Sequence, residues 1–452
     1  MNMEKIIADF SKLVGKIKPM NAVNNIPSSP RTELRRERAK LPSVVSDLTE
    51  ANVPFSRYHD TGGAFGGCKY VDIPNVFRNF DADENNPDNY DFTFTDWLVK
   101  MTIDNGVKPF YRLGVTIEND CTIKAYHIYP PKDYKKWARI CEHIIMHYNE
   151  GWADGFYYNI EYWEIWNEPD NQENPLRNSM WQGTKEQYFE LYEVASNHLK
   201  KRFPNLKIGG YSSCGFYKVA EIAVNPEANI SDDFNYFFDF FHAFMKHITS
   251  EGHESPMDFF SWHSYSSSPQ KNAIMSRYVR AQLDEYGYPN CENICNEWNP
   301  GIRNNGLLID ASHVGANMIS WQKNQLDMAM YYDAQMASSY CGLYDCITYK
   351  KTKTFYSFVA FGKLYALGSE IETFCSEQNI QVLGAMGIDR KGLMVVNDGN
   401  EDKNVEIILS GVDVNTTEIF VIDNDKNFEK VDFQNKFLIK IPANAIYYFD
   451  FK

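Results

Sequence analysis

Apolar side chains recur along most of this chain in two alternating rhythms, one of short unbroken or period-two runs and one of spacing by three and four. The short runs predict strands at residues 4–10, 15–25, 53–60 (Val53-Pro-Phe-Ser-Arg-Tyr-His-Asp60), 107–114, 161–167, 206–212, 259–265, 292–298 and 342–348. Between them, helical spacing predicts helices over 31–52 with a break near Pro42, over 92–105 closed by Gly106, and over 131–148 opened by Pro130-Pro131. Further helices are predicted over 185–203, 235–250, 273–286 and 312–339. Setting the first run aside gives eight strands alternating with helices, the pattern of an α/β parallel (β/α)8 TIM barrel occupying residues 15–366.

From residue 367 to 452 the period changes to two. Runs beginning at Gln381, Gly392, Asn404, Thr417, Phe437 and Ala445, separated by Asn, Asp and Gly turns, predict an accessory β-sandwich, with the N-terminal strand of residues 1–14 available to complete it. The Gly-rich segment 61–67 and the Asn/Asp-rich segment 81–91 read as loops long enough to line a site. No Lys-Ser/Thr follows the glycines, so that segment is not read as a phosphate loop.

Chemistry concentrates where the predicted strands end. Glu161-Tyr-Trp-Glu-Ile-Trp-Asn-Glu-Pro169 is a strand that stops abruptly at Asn167-Glu168-Pro169, and Glu292-Asn-Ile-Cys-Asn-Glu-Trp-Asn299 places Glu297 in a matching position. The C-terminal rim of a parallel barrel is the face on which catalytic groups are displayed. Barrel closure would bring the fourth and seventh strands together across the mouth, and two carboxylates so placed point to glycoside hydrolysis with retention. In that reading Glu168 has its pKa raised to act as acid, and Glu297 stays ionised beside Arg57 and the Tyr265 hydroxyl. Asn167 is suited to a sugar hydroxyl. Trp163, Trp166, Trp181 and Trp298 offer flat faces to sugar C–H surfaces, although side-chain alternation lets only some of them face the site. His59 and Asp60 tip the second strand and are read as sugar-binding. No other His, Asp or Glu stands at ligand-like spacing, so neither a metal nor any cofactor is expected.

Trp163 to Pro169 (WEIWNEP), Asn296-Glu297-Trp298, Ser261-Trp-His-Ser-Tyr265 and Pro130-Pro-Lys-Asp-Tyr-Lys-Lys-Trp137 together resemble glycoside hydrolase family 39, a clan A family typified by β-xylosidases and α-L-iduronidases. The similarity spans most of the chain, accessory sandwich included. It implies Glu168 as acid/base, Glu297 as nucleophile, Asn167 as ligand of the sugar 2-hydroxyl, Arg57 as the strand-two arginine of the clan, and His59, His263 and Tyr265 as subsite residues. Two positions depart from the family pattern. Arg112 stands on strand three where a Glu is typical, and Tyr344 stands on the expected strand eight in place of a Trp; both touch the sugar pocket.

Composition narrows the partners. A net charge of −15 and the absence of basic clusters argue against nucleic acid, and no run approaches a membrane span, so an oligosaccharide or other glycoside is the expected partner, with assembly into a homo-oligomer left open. The nine cysteines (68, 121, 141, 214, 291, 295, 341, 346, 375) show no CxxC or Cys/His spacing, and the first twelve residues lack the apolar core of a secretory signal; both predict a cytoplasmic protein. The expectation is therefore a retaining exo-glycosidase acting on terminal β-D-xylose. Arabinosidase, galactosidase or uronidase specificity, the last using Arg112, stands as its alternative. A non-catalytic carbohydrate-binding barrel and a metal-dependent sugar isomerase are the readings from other classes.

Overall fold

A computed structural model describes residues 4–41, 43–60, 71–117, 128–336, 338–432 and 437–452. The glycine-rich segment 61–67, Cys68 and Cys121 lie outside the described residues. After an N-terminal strand β1 (Glu4–Lys16), the chain forms β2 (Ala22–Asn24), β3 (Phe55–Tyr58), β4 (Lys108–Leu113), β5 (Tyr162–Ile165), β6 (Lys207–Ser213), β7 (Phe259–Ser264), β8 (Glu292–Trp298) and β9 (Met328–Tyr331). Strands β2 to β9 pair in chain order, all parallel, and β9 returns to β2 through Ala22 opposite Met330 and Val23 opposite Tyr331. This is the closed (β/α)8 barrel that the sequence predicts.

The last barrel strand is not where periodicity places it. Residues 342–348 form no strand and contribute only a single bridge between Tyr344 and Lys351, whereas Met328-Ala-Met-Tyr331 closes the ring. Helix Leu308–Gln322 stops well short of Ser339. The reason is burial on both faces: all four residues of β9 are buried, so the run is apolar without alternation and reads as a continuation of the helix before it.

Alternation along the strands stacks the barrel interior in layers. Ala22, Phe55, Phe110, Tyr162, Phe259, Ile294, Met328 and Met330 form an apolar floor. One period further along the strands come Asn24, Arg57, Arg112, Glu164, Ser261 and Asn296, a polar layer buried beneath the mouth. In β8 the register slips between Cys295 and Trp298 against β9, and between the pairs Trp262–Cys295 and His263–Glu297 against β7. That bulge adds one residue, so Glu297 follows Asn296 into the interior while Trp298 turns outward.

Strands β10 (Ser369–Cys375), β11 (Ile380–Met386), β12 (Lys391–Asn397), β13 (Lys403–Ser410), β14 (Glu418–Ile422), β15 (Asn427–Val431), β16 (Leu438–Ile441) and β17 (Ile446–Phe451) join β1 in one nine-stranded sheet, ordered β15-β14-β17-β12-β11-β10-β1-β13-β16. The N-terminal strand lies between β10, to which it is antiparallel, and β13, to which it is parallel. Odd and even positions divide cleanly in β12: Leu393 and Val395 enter the sheet's own core with Ile6, Ile371, Val405 and Phe449, while Met394 and Val396 join the barrel core. Close approach at this junction needs Gly315, whose added Cβ would lie 2.9 Å from Ser357 Oγ and 3.1 Å from Met394 Cε.

Phe358, on helix Lys353–Leu367, is fully buried and packs its edge on Tyr331 of the closing strand at 5.5 Å. Replacing Phe358 by Ala is expected to lower stability by about 3–5 kcal/mol. Urea unfolding followed by tryptophan fluorescence measures this, and a loss below about 1 kcal/mol would mean that the contact does not hold β9 in the ring.

Candidate active site

The polar layer beneath the mouth is organised by Glu164, a fully buried carboxylate on β5. It accepts from Arg57 Nε at 2.7 Å, from Ser212 Oγ and Ser261 Oγ at 2.7 Å each, and from Asn296 Nδ2 at 2.5 Å. Its donors thus come from β3, β6, β7 and β8. Arg57 spends its remaining donors upward and sideways: Nη1 on Asn24 Oδ1 (3.0 Å) and Glu297 Oε2 (3.3 Å), Nη2 on Asn167 Oδ1 (2.5 Å) and Ser212 Oγ (2.9 Å). Burial alone would pull the guanidinium's pKa down, but the charges of Glu164 and Glu297 outweigh it and raise it.

Above this layer the two sequence-predicted carboxylates meet around one imidazole. His263 Nδ1 is 2.7 Å from Glu168 Oε1, its Nε2 is 3.6 Å from Glu297 Oε2, and a carboxylate oxygen of Glu168 lies within 4.8 Å of one of Glu297. Glu168 reaches this place because the chain leaves β5 with Trp166 at φ 75° and Glu168 at φ 42°, left-handed conformations in which the strand ends. Its backbone N–H donates to Ser212 O, and Asn171 Nδ2 donates to Oε2 at 2.9 Å. The Tyr265 hydroxyl donates to Glu297 Oε1. The side chains keep 13% and 7% exposure, so both carboxylates are largely enclosed.

The expected protonation pattern is reversed in this substrate-free arrangement. Burial pushes Glu168 up, but the His263 imidazole at hydrogen-bond distance outweighs it and holds the carboxyl below its ordinary value. Burial and the charge of Glu168 push Glu297 up, against the pull of His263 and Arg57. His263 itself is raised above 6.5, since Glu297 and Glu168 together outweigh the cost of burying its charge. The sequence does not foresee this because it cannot place an imidazole between the two acids.

His59 and Asp60 line the same mouth. Burial, with Arg57 and Arg112 nearby, drives His59 well below its usual range, leaving a neutral ring whose Nε2 is 3.4 Å from Asp60 Oδ1. Asp60 accepts from the Tyr332 hydroxyl at 2.9 Å, and burial and the Glu297 charge push its pKa up to about 7. Among the described residues, His59 Nδ1, Asp60 Oδ1, Asn167 Nδ2 and His263 Nε2 are buried polar atoms with no hydrogen-bond partner. Such atoms at a barrel mouth are suited to a ligand rich in hydroxyls.

Two expectations are corrected. Tyr344 does not tip a barrel strand; it packs on Phe355 with its hydroxyl 3.4 Å from Asp47. The strand-eight tip is Tyr332, which joins Tyr340 and Tyr265 in an aromatic rim with ring centroids 5.3 and 5.6 Å apart. Trp298 packs edge-on against Trp321, and Trp163, Trp166 and Trp181 are buried against Tyr111, Trp137 and Tyr188, so these four rings are committed to packing. Arg112 is buried in the polar layer, where Asp72 Oδ1 holds its Nη2 at 2.7 Å and its Nε and Nη1 have no hydrogen-bond partner among the described residues. Sequence reasoning also missed Glu164. The signal was present, because a charged residue two positions beyond Tyr162 on the same strand shares its face. Tyr332 and Tyr340 were missed with β9.

Glu168, His263 and Glu297 have the spacing of a metal-ligand set, yet the Arg57 guanidinium against Glu297 opposes a cation there. A second such set is formed by Glu193, His247 and His253.

Comparison with known proteins agrees with this construction. The family model described as glycosyl hydrolases family 39 matches residues 67–294, just over half the chain and including Glu168. The β-xylosidase of Geobacillus stearothermophilus is 27% identical over 218 residues, covering 46% of this chain and 37% of the relative. The β-xylosidase of Caldicellulosiruptor saccharolyticus is 27% identical over 297 residues, covering 62% of this chain. The match to that second relative spans 51% of its length. Among solved structures, a glucosidase from Croceicoccus marinus superposes with a TM-score of 0.78 at 17% identity, covering 99% of this chain and 98% of its own. A monomeric β-xylosidase from Caulobacter crescentus CB15 superposes with a TM-score of 0.67 at 15% identity, with 99% of both chains covered. With the barrel, its paired carboxylates and the family match in agreement, the chain belongs to glycosyl hydrolase family 39.

Proposed function

We propose that this protein is a retaining exo-glycosidase that releases a terminal sugar, β-D-xylose first among candidates, from oligosaccharides by double displacement. The carrying observation is the placement of Glu168 and Glu297 within 4.8 Å of each other around His263. That separation suits direct attack, since inverting enzymes space their carboxyls by roughly 6.5–9.5 Å to admit a water between them. Glu297 is the nucleophile: Arg57 and the Tyr265 hydroxyl fix both of its oxygens. Glu168 is the acid/base, and the proton it delivers to the leaving oxygen is held in its 2.7 Å contact with His263. Once Glu297 carries the sugar it is neutral, and Glu168 then takes a proton from the incoming water. The unpartnered Asn167 Nδ2 is placed to bind the sugar 2-hydroxyl.

The curated relatives named as β-xylosidases support xylose. Arg112 keeps the uronidase alternative open: Asp72 holds its Nη2, while its Nε and Nη1 are buried without a partner. No helix of the described residues is long and apolar enough to cross a membrane, and the seven described cysteines are free thiols, which supports a reducing, cytoplasmic setting.

Replacing Glu297 by Ala is expected to reduce turnover of nitrophenyl β-xyloside to background; rates near wild type would remove it from the nucleophile's role, and sugar binding without turnover by the unmodified protein would favour the binding-barrel reading. Replacing Glu168 by Ala should lower kcat/KM for xylobiose by roughly 10²–10⁴-fold while sparing kcat/KM for dinitrophenyl xyloside, whose leaving group needs no proton in the first step. A comparable loss on both substrates would contradict that assignment. The pH profile follows from the shifts. Glu297 must lose a proton that burial retains, so kcat/KM rises through a pKa above the usual 4.5. His263 keeps its proton past 6.5, so the basic limb falls only above that value. A basic limb near pH 5 would rule out the shared proton.

A further inference from the structure

On the helical jacket, away from the barrel mouth, Glu193 of helix Lys185–Arg202 meets His247, in the last turn of helix Asp232–Thr249, and His253, in the connection leading to β7. Glu193 Oε2 is 2.9 Å from His247 Nε2 and 2.8 Å from His253 Nδ1, and one donor atom of each residue lies within 4.8 Å of the others. We propose that these three side chains form a structural site for a divalent cation of the zinc class. Two imidazoles and a carboxylate are zinc donors, and with bonds of about 2.0–2.2 Å a single ion reaches all three after small side-chain movements. His253 is half exposed, which leaves the fourth position of a tetrahedral ion open to water. One carboxylate with two neutral rings carries a single negative charge, favourable to a dication.

The donors are held before any ion arrives. Ser255 N–H donates to Ile248 O (3.1 Å), Asn197 Nδ2 to Glu254 O (3.2 Å), and the hydroxyls of Tyr192 and Tyr288 to Pro256 O (3.2 Å) and Ser255 O (2.8 Å), fixing the connection against its neighbours. The Phe189 ring packs on His247 at 5.6 Å. Binding exchanges two ring-to-carboxylate contacts for three metal bonds: the proton on His247 moves to Nδ1 and that on His253 to Nε2, so neutral rings release none. The ion would tie two jacket helices to the segment entering β7, the strand that carries His263.

The test uses the full chain stripped with chelator and titrated with Zn²⁺ alone. One ion per chain is expected, with a dissociation constant in the micromolar range or tighter, and a rise in Tm of about 2 °C or more at a hundredfold excess over that constant. Glu193→Gln and His253→Ala should each weaken binding by roughly 10-fold or more and remove the Tm rise. His253 is exposed enough that its variant should keep the metal-free Tm, and Glu168→Gln should bind zinc as wild type does. Binding weaker than about 100 µM, or loss of the ion in Glu168→Gln but not in the other two variants, overturns the proposal.

Discussion

A carboxylate with no route to water and a guanidinium equally enclosed hold the middle of this barrel together. Glu164 and Arg57 are both fully buried, and every oxygen and nitrogen they direct at each other's surroundings is matched by a side chain from a different strand. Such a pair contributes little net stability relative to an apolar substitute, but removing one member leaves an unmatched buried charge at a cost of about 3–5 kcal/mol. What it supplies is position. Because Arg57 also touches Glu297 and Asn167, the tip of β8 and the segment after β5 are registered against one rigid group rather than against each other.

The layer above inherits that rigidity and adds a shared proton. His263 faces Glu168 on one nitrogen and Glu297 on the other, so the three titrate as a unit, and the state of any one depends on the other two. A sequence-level assignment of one raised and one ordinary carboxyl treats the acids as isolated. With an imidazole between them the proton favours the ring, and Glu168 is lowered where burial alone would raise it.

The aromatic surface at the mouth follows from β9. Once the ring closes through Met328–Tyr331, Tyr332 emerges at the mouth beside Asp60, and Tyr340 packs between Tyr332 and Tyr265. Aromatic surface is therefore supplied by tyrosines with one polar end, while the tryptophans at the same strand tips are committed to the contact between strands and helices.

The linear order of residues settled much of this. Alternating runs and helical spacing were enough for an eightfold barrel and a sheet-rich appendage, and the tips at Asn167-Glu168 and Asn296-Glu297 were readable because a strand ending in polar residues is a local signal. Three things were decided only in three dimensions. The closing strand is buried on both sides and loses the alternation that marks a strand. The bulge in β8 sends Glu297 inward and Trp298 outward, and a one-residue register shift leaves no trace in composition. Protonation depends on which charges meet across the barrel, and His263 and Arg57 reach the two carboxylates from strands far apart in the chain, so their effect exists only after closure.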